Sequence, residues 1–376
     1  MNKKLTIIFD AYHLYHLPQF DPLIDLLKCD ERFEVFLTSS PETEPQEYEL
    51  TKKILTNRGC KVILPNTTEE RITQIKELNP DIYICGWSRF PIQETVPDST
   101  LVGMIYHGIG VKPSYWRDNS SRLNVRFVEG PFRYKQLLEK GIKTDLEIVG
   151  FPKIDPLFNG TIKSQKSLLN EMNLDPNKKT ILYAPTFYPS SFESFGVRIS
   201  DLTKDYNLII KLHQWSYFMK KFSGVNLRRH TKLINRIRKK CPEVAIIRPE
   251  HYNIVDLYRA ADALLTEASS TIYEMMSERK HIIICDFYKK KIGHHISPKR
   301  IYTRRLDQNM HMNMTDFCYH IESPQRLHDT LKKCFDSIDP FKDIREKYIK
   351  DMLYKLDGKA SERIRDIILD RIENRH

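Results

Sequence analysis

The chain has 376 residues, enough for two domains with full cores. Apolar residues make up 40% and charged residues 29%, a globular composition, and no apolar run approaches the ~20 residues that a membrane-spanning helix needs. The net charge of +11, from 60 basic and 49 acidic side chains, favours anionic partners such as phosphorylated substrates, anionic lipid or nucleic acid.

The N-terminal MNKKLTIIFDAYHLYHL starts basic, but its apolar run breaks at Asp10. It reads as a first strand and not as a signal peptide. Further strand candidates in the first half are Glu34–Leu37, Lys61–Leu64, Asp81–Cys85, Leu101–Tyr106, Val125–Glu129 and Leu146–Val149. Helical patterns such as Glu69–Leu78 and Phe132–Lys140 lie between them. A bend at Gly150-Phe151-Pro152 and the polar stretch Asn159 to Lys166 suggest a boundary. The alternation resumes with Thr180–Tyr183, Leu208–Leu212, Val244–Ile247, Ala263–Leu265 and Ile282–Cys285, and helices dominate from Pro324 on. The expected architecture is α/β: two Rossmann-like halves with parallel sheets and a helical C-terminal tail. The expected bounds are 1–158 for an N-terminal Rossmann-like domain and 159–345 for a second one. A tail at 346–376 is free to pack back on the first domain.

The seven cysteines are dispersed, with no Cys-x-x-Cys. They read as reduced core residues of a cytosolic protein and not as a disulfide frame or zinc site. Two basic groups stand out. One is Lys289-Lys290-Lys291, Lys299-Arg300 and Arg304-Arg305; the other is Arg228-Arg229 with Arg236, Arg238, Lys239 and Lys240. Each is either a solvated face or a surface for membrane headgroups.

Missing motifs narrow the chemistry. There is no G-x-x-x-x-G-K-[ST], no G-x-G-x-x-G, no H-E-x-x-H and no Asp-x-Asp pair. A bound diphosphate would have to be neutralised by helix N-termini, His, Lys and Arg. Candidate residues for that task fall at strand ends, where doubly wound sheets bind ligands. His107-Gly108-Ile109-Gly110-Val111-Lys112 follows one strand. Its glycines allow close backbone approach, and a His there can accept a proton near neutral pH. In Lys211-Leu212-His213-Gln214-Trp215, alternation along a strand would turn Lys211 and His213 to one side. Ala184-Pro185-Thr186 forms a fixed turn. Thr266-Glu267-Ala268-Ser269-Ser270 joins a strand to an amphipathic helix. Its two hydroxyls suit a phosphate, although an ordinary helix N-cap is the plainer explanation for an isolated Ser-Ser.

Taken in order, the motifs resemble the CDP-glycerol glycerophosphotransferase family of teichoic acid and capsule polymer synthesis. They run H-G-x-x-x-K from His107 to Lys112, then Gly150-Phe151-Pro152-Lys153-Ile154-Asp155, then Leu182-Tyr183-Ala184-Pro185-Thr186. Lys211-Leu212-His213 and the segment Asp256 to Ser270 follow, and Asp357-Gly358-Lys359-Ala360-Ser361-Glu362-Arg363 comes near the end. The chain departs from the family pattern at Ile109-Gly110, at Gln214, and at Glu267 and Ala268, where an Asp and an aromatic are usual.

The resemblance implies a GT-B-like fold, two Rossmann-like domains facing a central cleft that needs neither metal nor cofactor. It implies transfer of glycerol phosphate, or a related polyol phosphate, from a CDP-activated donor to a lipid-linked or glycan acceptor, releasing CMP. By its motifs, His107 is the general base and His213 a second catalytic residue. Lys112, Lys211, Ser269 and Ser270 bind donor phosphates, while Pro185, Thr186 and Glu267 lie towards the nucleotide or polyol. Such an enzyme works in the cytoplasm on the anionic inner face of the cell membrane and has no nucleic-acid partner. Two other functions remain open to the sequence: a GT-B glycosyltransferase using a nucleotide sugar, and a non-catalytic protein binding anionic lipid or nucleic acid.

Overall fold

A computed structural model describes residues 3–88, 90–110, 114–219, 226–288 and 314–374. The basic groups of 289–305 lie outside the described residues. The chain divides into two compact units, one holding residues to His107, Ser114–Asn159 and the stretch from Lys350 on, the other Gly108–Gly110 and Gly160–Ile349.

The first unit is built on seven strands: β1 (Leu5–Asp10), β2 (Phe33–Thr38), β3 (Lys61–Ile63), β4 (Ile82–Cys85), β5 (Leu101–Ile105), β6 (Val125–Val128) and β7 (Asp145–Ile148). Their order across the sheet is β3-β2-β1-β4-β5-β6-β7, and every pairing is parallel. Helices cover both faces of such a sheet, so its strands are apolar on both sides. Ile7, Ile8 and Phe9 accordingly have no exposed surface.

The second unit has six: β8 (Thr180–Tyr183), β9 (Asn207–Ile210), β10 (Ala245–Ile246), β11 (Ala263–Thr266), β12 (His281–Cys285) and β13 (Tyr319–Ile321). The order is β10-β9-β8-β11-β12-β13, again parallel throughout. Each sheet reverses its strand order once, between β1 and β4 in the first and between β8 and β11 in the second. Loops leaving the carboxyl ends of strands at such a reversal part from one another and leave a crevice for ligands.

Several strand ends differ from the sequence reading by a residue or so, as at Ala245–Ile246, and two differences matter more. Strand β13 was not foreseen, because its three residues include only one fully buried apolar side chain, Ile321. The expected strand Leu208–Leu212 closes at Ile210, so alternation does not govern Lys211 and His213. Lys211 is buried and His213 half-buried.

Two of the motifs interlock within the first unit. Both carboxylate oxygens of Asp155 cap the helix Ala360–Glu373, accepting from Ala360 N at 3.0 Å, Ser361 N at 2.8 Å and Ser361 Oγ at 2.8 Å. Gly358, at φ +70°, brings the chain so close to Asn159 and Asp155 that a Cβ would meet their backbone atoms. Ile364 and Ile368 of this helix are fully buried, and Arg371 reaches Asp145 and Glu147 of β7. The Gly-x-Pro-Lys-x-Asp and Asp-Gly-x-Ala-Ser-x-Arg motifs are therefore two halves of one clasp that returns the chain end to the first sheet.

Candidate functional site

The reversal in the second sheet gathers most of the residues singled out from the sequence. Strands β9, β8 and β11 are neighbours, with Tyr183 in register with Leu265, and Ile210 with Tyr183. Their carboxyl ends release Lys211–His213, Ala184–Thr186 and Glu267–Ser270 side by side. The ladder runs one step further through Ala184 N to Leu265 O and Lys211 N to Tyr183 O, both 2.9 Å. Residues just beyond it therefore have defined positions.

His213 Nδ1 accepts from the Trp215 amide at 3.1 Å. That bond leaves Nδ1 unprotonated and puts the proton of the neutral ring on Nε2, which makes Nε2 a hydrogen-bond donor. Phe187 and Trp215 flank the ring, with centroids 5.0 Å and 5.8 Å away.

Glu267 is fully buried and serves the loop after β8. It accepts from Thr186 N at 2.5 Å, from Ser191 N at 2.7 Å and from Ser191 Oγ. Tyr183 OH joins Ser191 Oγ at 2.7 Å. Burial raises this carboxyl from its ordinary value to about 7, against the opposing pull of the Ser191 and Thr186 donors. Its oxygens are thus turned to the loop that carries Phe187. Pro185 is buried at the start of that loop, and Thr186 Oγ1 closes it onto Pro189 O.

Ser269 and Ser270 are half-buried. Ser270 occupies the position before the helix Thr271–Met276 with helical φ and ψ, and its hydroxyl makes no capping bond. Ser269 Oγ accepts from Thr271 N at 3.4 Å. The plain N-cap reading therefore fails for Ser270. The helix has only six residues, so its dipole is small.

In the first unit His107 lies just past β5, half-buried among rings. Its centroid is 4.8 Å from His16, 5.5 Å from Tyr15 and 5.7 Å from Tyr115. Arg133 stacks on Tyr115 at 4.4 Å and pairs with Glu129 at 3.0 Å, so a paired, fully buried cation backs this wall. Lys112 lies outside the described residues. Sequence reasoning passed over His13, Tyr15 and His16. Their signal was there in the polar and aromatic run after β1, Tyr12-His13-Leu14-Tyr15-His16, at the reversal of the first sheet. Phe187 and Ser191 carried no comparable signal.

Comparison with known proteins places the chain. The family description CDP-glycerol:poly(glycerophosphate) glycerophosphotransferase matches residues 139–370. A teichoic acid poly(glycerol phosphate) polymerase of Staphylococcus epidermidis is 26% identical over 201 residues, 51% of this chain and 26% of that protein. A teichoic acid glycerol-phosphate primase of Bacillus subtilis is 28% identical over 164 residues, 41% of this chain and 38% of that protein. The chain thus matches well under half the length of either relative. Among solved structures, the wall teichoic acid polymerase TagF shares the fold, with a TM-score of 0.69 at 15% identity over 99% of this chain and 90% of that one. With the family description covering well over half of its residues, the chain belongs to the CDP-glycerol:poly(glycerophosphate) glycerophosphotransferase family.

Proposed function

We propose that the chain transfers glycerol phosphate from CDP-glycerol to an acceptor hydroxyl and releases CMP. The observation that carries this reading is the set of groups at the second reversal. His213 presents Nε2–H as a donor, beside strand ends that carry Ser269, Ser270 and Lys211. Phosphoryl transfer asks a protein mainly for position and for donors around the phosphate oxygens, and these side chains supply both. Glu267 and Thr186 act by holding the loop and not by receiving the donor's charge.

In the reaction the acceptor oxygen attacks the phosphorus that bears glycerol. A new P–O bond forms, and the bond to the CMP oxygen breaks with its electron pair leaving on CMP. His107, in the first unit, takes the acceptor's proton. Its His16 and Tyr115 neighbours fix the ring's position.

The acceptor is lipid-linked or a glycan, at the inner face of the cell membrane. The helix Leu227–Lys240 supports a place on an anionic surface. It buries His230, Leu233, Ile234 and Ile237 along one stripe and exposes Arg228, Arg229, Lys232, Arg236, Arg238, Lys239 and Lys240. Only Arg229 and Lys240 of these have an acidic partner among the described residues, Glu193 and Asp201. Such a face meets headgroups without insertion. No described helix is long and apolar enough to cross a membrane.

The test is a donor panel. CDP-glycerol, CDP-ribitol, a UDP-sugar and a CMP-sugar are each incubated with the protein, and free nucleotide is measured. CMP release from CDP-glycerol is expected, with His107→Ala lowering acceptor-dependent turnover about 10²–10⁴-fold and His213→Ala weakening donor binding. Turnover of a nucleotide sugar alone would overturn the assignment.

A further inference from the structure

The turn after β9 carries His213 and is short. Its helix, Trp215–Phe218, has four residues, and a single helical turn does not hold itself together in water. Gln214 stands just before it with φ −52° and ψ −40°, and its side chain makes no capping bond to the helix. That side chain is 3% exposed and runs the other way, with Nε2 donating to Pro249 O at 2.9 Å. A carbonyl can only accept, which fixes Nε2 as the atom that faces it. Tyr217 OH donates to Ile247 O at 3.0 Å, and Ile247 N to Ile210 O at 2.9 Å. Burial lifts the Tyr217 phenol to about 12, so it stays a donor across the neutral range. The stretch after β10 is thereby pinned against the turn that bears His213, although β10 itself has only two residues.

Gln214 also breaks a packing rule. Its Oε1 is buried and accepts no hydrogen bond among the described residues. A buried acceptor without a donor disfavours folding, and an apolar side chain of similar shape would avoid that loss. Such local violations concentrate at functional positions. The neighbouring His213 gives this one a use. Its Nδ1 takes the Trp215 amide at 3.1 Å, and its carbonyl takes the Ser216 amide at 2.8 Å. Both amides belong to the turn that Gln214 anchors.

We infer that Gln214 is a positioning residue: by tying the turn to Pro249 it holds the Trp215 amide on His213 Nδ1, and so keeps Nε2–H as the donor to the phosphate of CDP-glycerol. The inference deepens the proposed function and rests on His213 contacting that phosphate.

Three variants separate this role from packing. Gln214→Met keeps length and bulk but cannot donate, so the turn loses its tether. Its thermal unfolding should stay close to the parent's, because the unpaired Oε1 goes with the lost bond. Gln214→Pro also loses the tether, yet fixes φ near the value already present; proline is favoured at this position of a type I turn. Tyr217→Phe frees only the Ile247 carbonyl. Nitrogen NMR of the full chain with isotope-labelled histidine reads the ring directly: the parent shows a bare Nδ1 and a protonated Nε2 on His213 at neutral pH. Gln214→Met mixes the two tautomers and raises the KM for CDP-glycerol about three- to tenfold, the worth of one hydrogen bond, with kcat within about twofold. Tyr217→Phe gives a smaller rise, and Gln214→Pro restores the parent tautomer and brings KM back to within about twofold. An unchanged tautomer or an unchanged KM in Gln214→Met would overturn the positioning role. So would Gln214→Pro behaving like Gln214→Met, because the contact with Pro249 would then matter for its own sake. Tautomers that shift and recover in this way, with no turnover of CDP-glycerol by the parent, would instead overturn the proposed reaction and leave the positioning of His213 standing.

Discussion

The two sheet reversals have the same topology and similar anchors but opposite linings. Each has a buried carboxylate where a central strand ends. In the first sheet Asp10, the last residue of β1, pairs with Arg71 at 2.5 Å and accepts from Tyr83 OH at 2.7 Å. In the second, Glu267 just past β11 is held by neutral donors, the amides and hydroxyls of Thr186 and Ser191. Above Asp10 the crevice is lined by rings, and above Glu267 by hydroxyls, imidazole and amides. A charge held by a charge makes a fixed floor. A charge held by dipoles alone responds to pH, because burial is not offset by an opposite charge.

Breaking the first anchor should have the largest effect. Asp10→Ala leaves Arg71, which has no exposed surface, without its carboxylate. We expect a loss of about 4 kcal/mol in urea unfolding, since an uncompensated buried charge is costly. The double variant Asp10→Leu with Arg71→Met should recover part of that loss. If Asp10→Ala alone unfolds within about 1 kcal/mol of the parent, the anchor has been misjudged.

The second anchor predicts a pH effect. The Glu267 carboxyl rises from 4.5 in the open chain to about 7 when folded. The folded state therefore holds the proton more tightly, and stability falls as pH rises from about 4.5 through 7 and levels off above that. The shift corresponds to about 3 kcal/mol. Thermal unfolding from pH 4.5 to 8 should show this fall, and Glu267→Gln, which does not titrate, should flatten the difference. Equal pH slopes in parent and variant would remove Glu267 as the source. Asp155, also raised by burial, shifts in the same direction and contributes equally to both proteins.

Much of this fold was legible because strands buried on both faces read as unbroken apolar runs; Thr180–Tyr183 was bounded to the residue. The placement of Lys211 and His213 was not, because Leu208-Ile209-Ile210-Lys211-Leu212 carries its apolar pattern past the point where the backbone leaves the sheet. The strand ends that bear His213 and the serines could be named from local pattern, since parallel topology brings them together. Partners far apart in sequence could not. Nothing in the spacing couples Asp155 to Ser361, or Glu267 to Ser191, because their contacts depend on how loops return after whole strand and helix units.

Ser191→Ala is the smallest of these changes and the one that isolates the balance at Glu267. It removes one donor to the carboxylate and the contact with Tyr183 OH, but leaves the Ser191 amide in place. A single hydrogen bond lost at a buried site is worth about 1 kcal/mol. The hydroxyl lowers the Glu267 carboxyl, so its loss should move the pH midpoint of unfolding upward from about 7. Donor affinity should fall only a few-fold, because Thr186 and the Ser191 amide still hold the loop. A midpoint that moves down would mean that the hydroxyl accepts from a protonated Glu267 instead of donating to the carboxylate. The second reversal would then rest on a neutral acid, and its difference from the Asp10–Arg71 floor would be larger still.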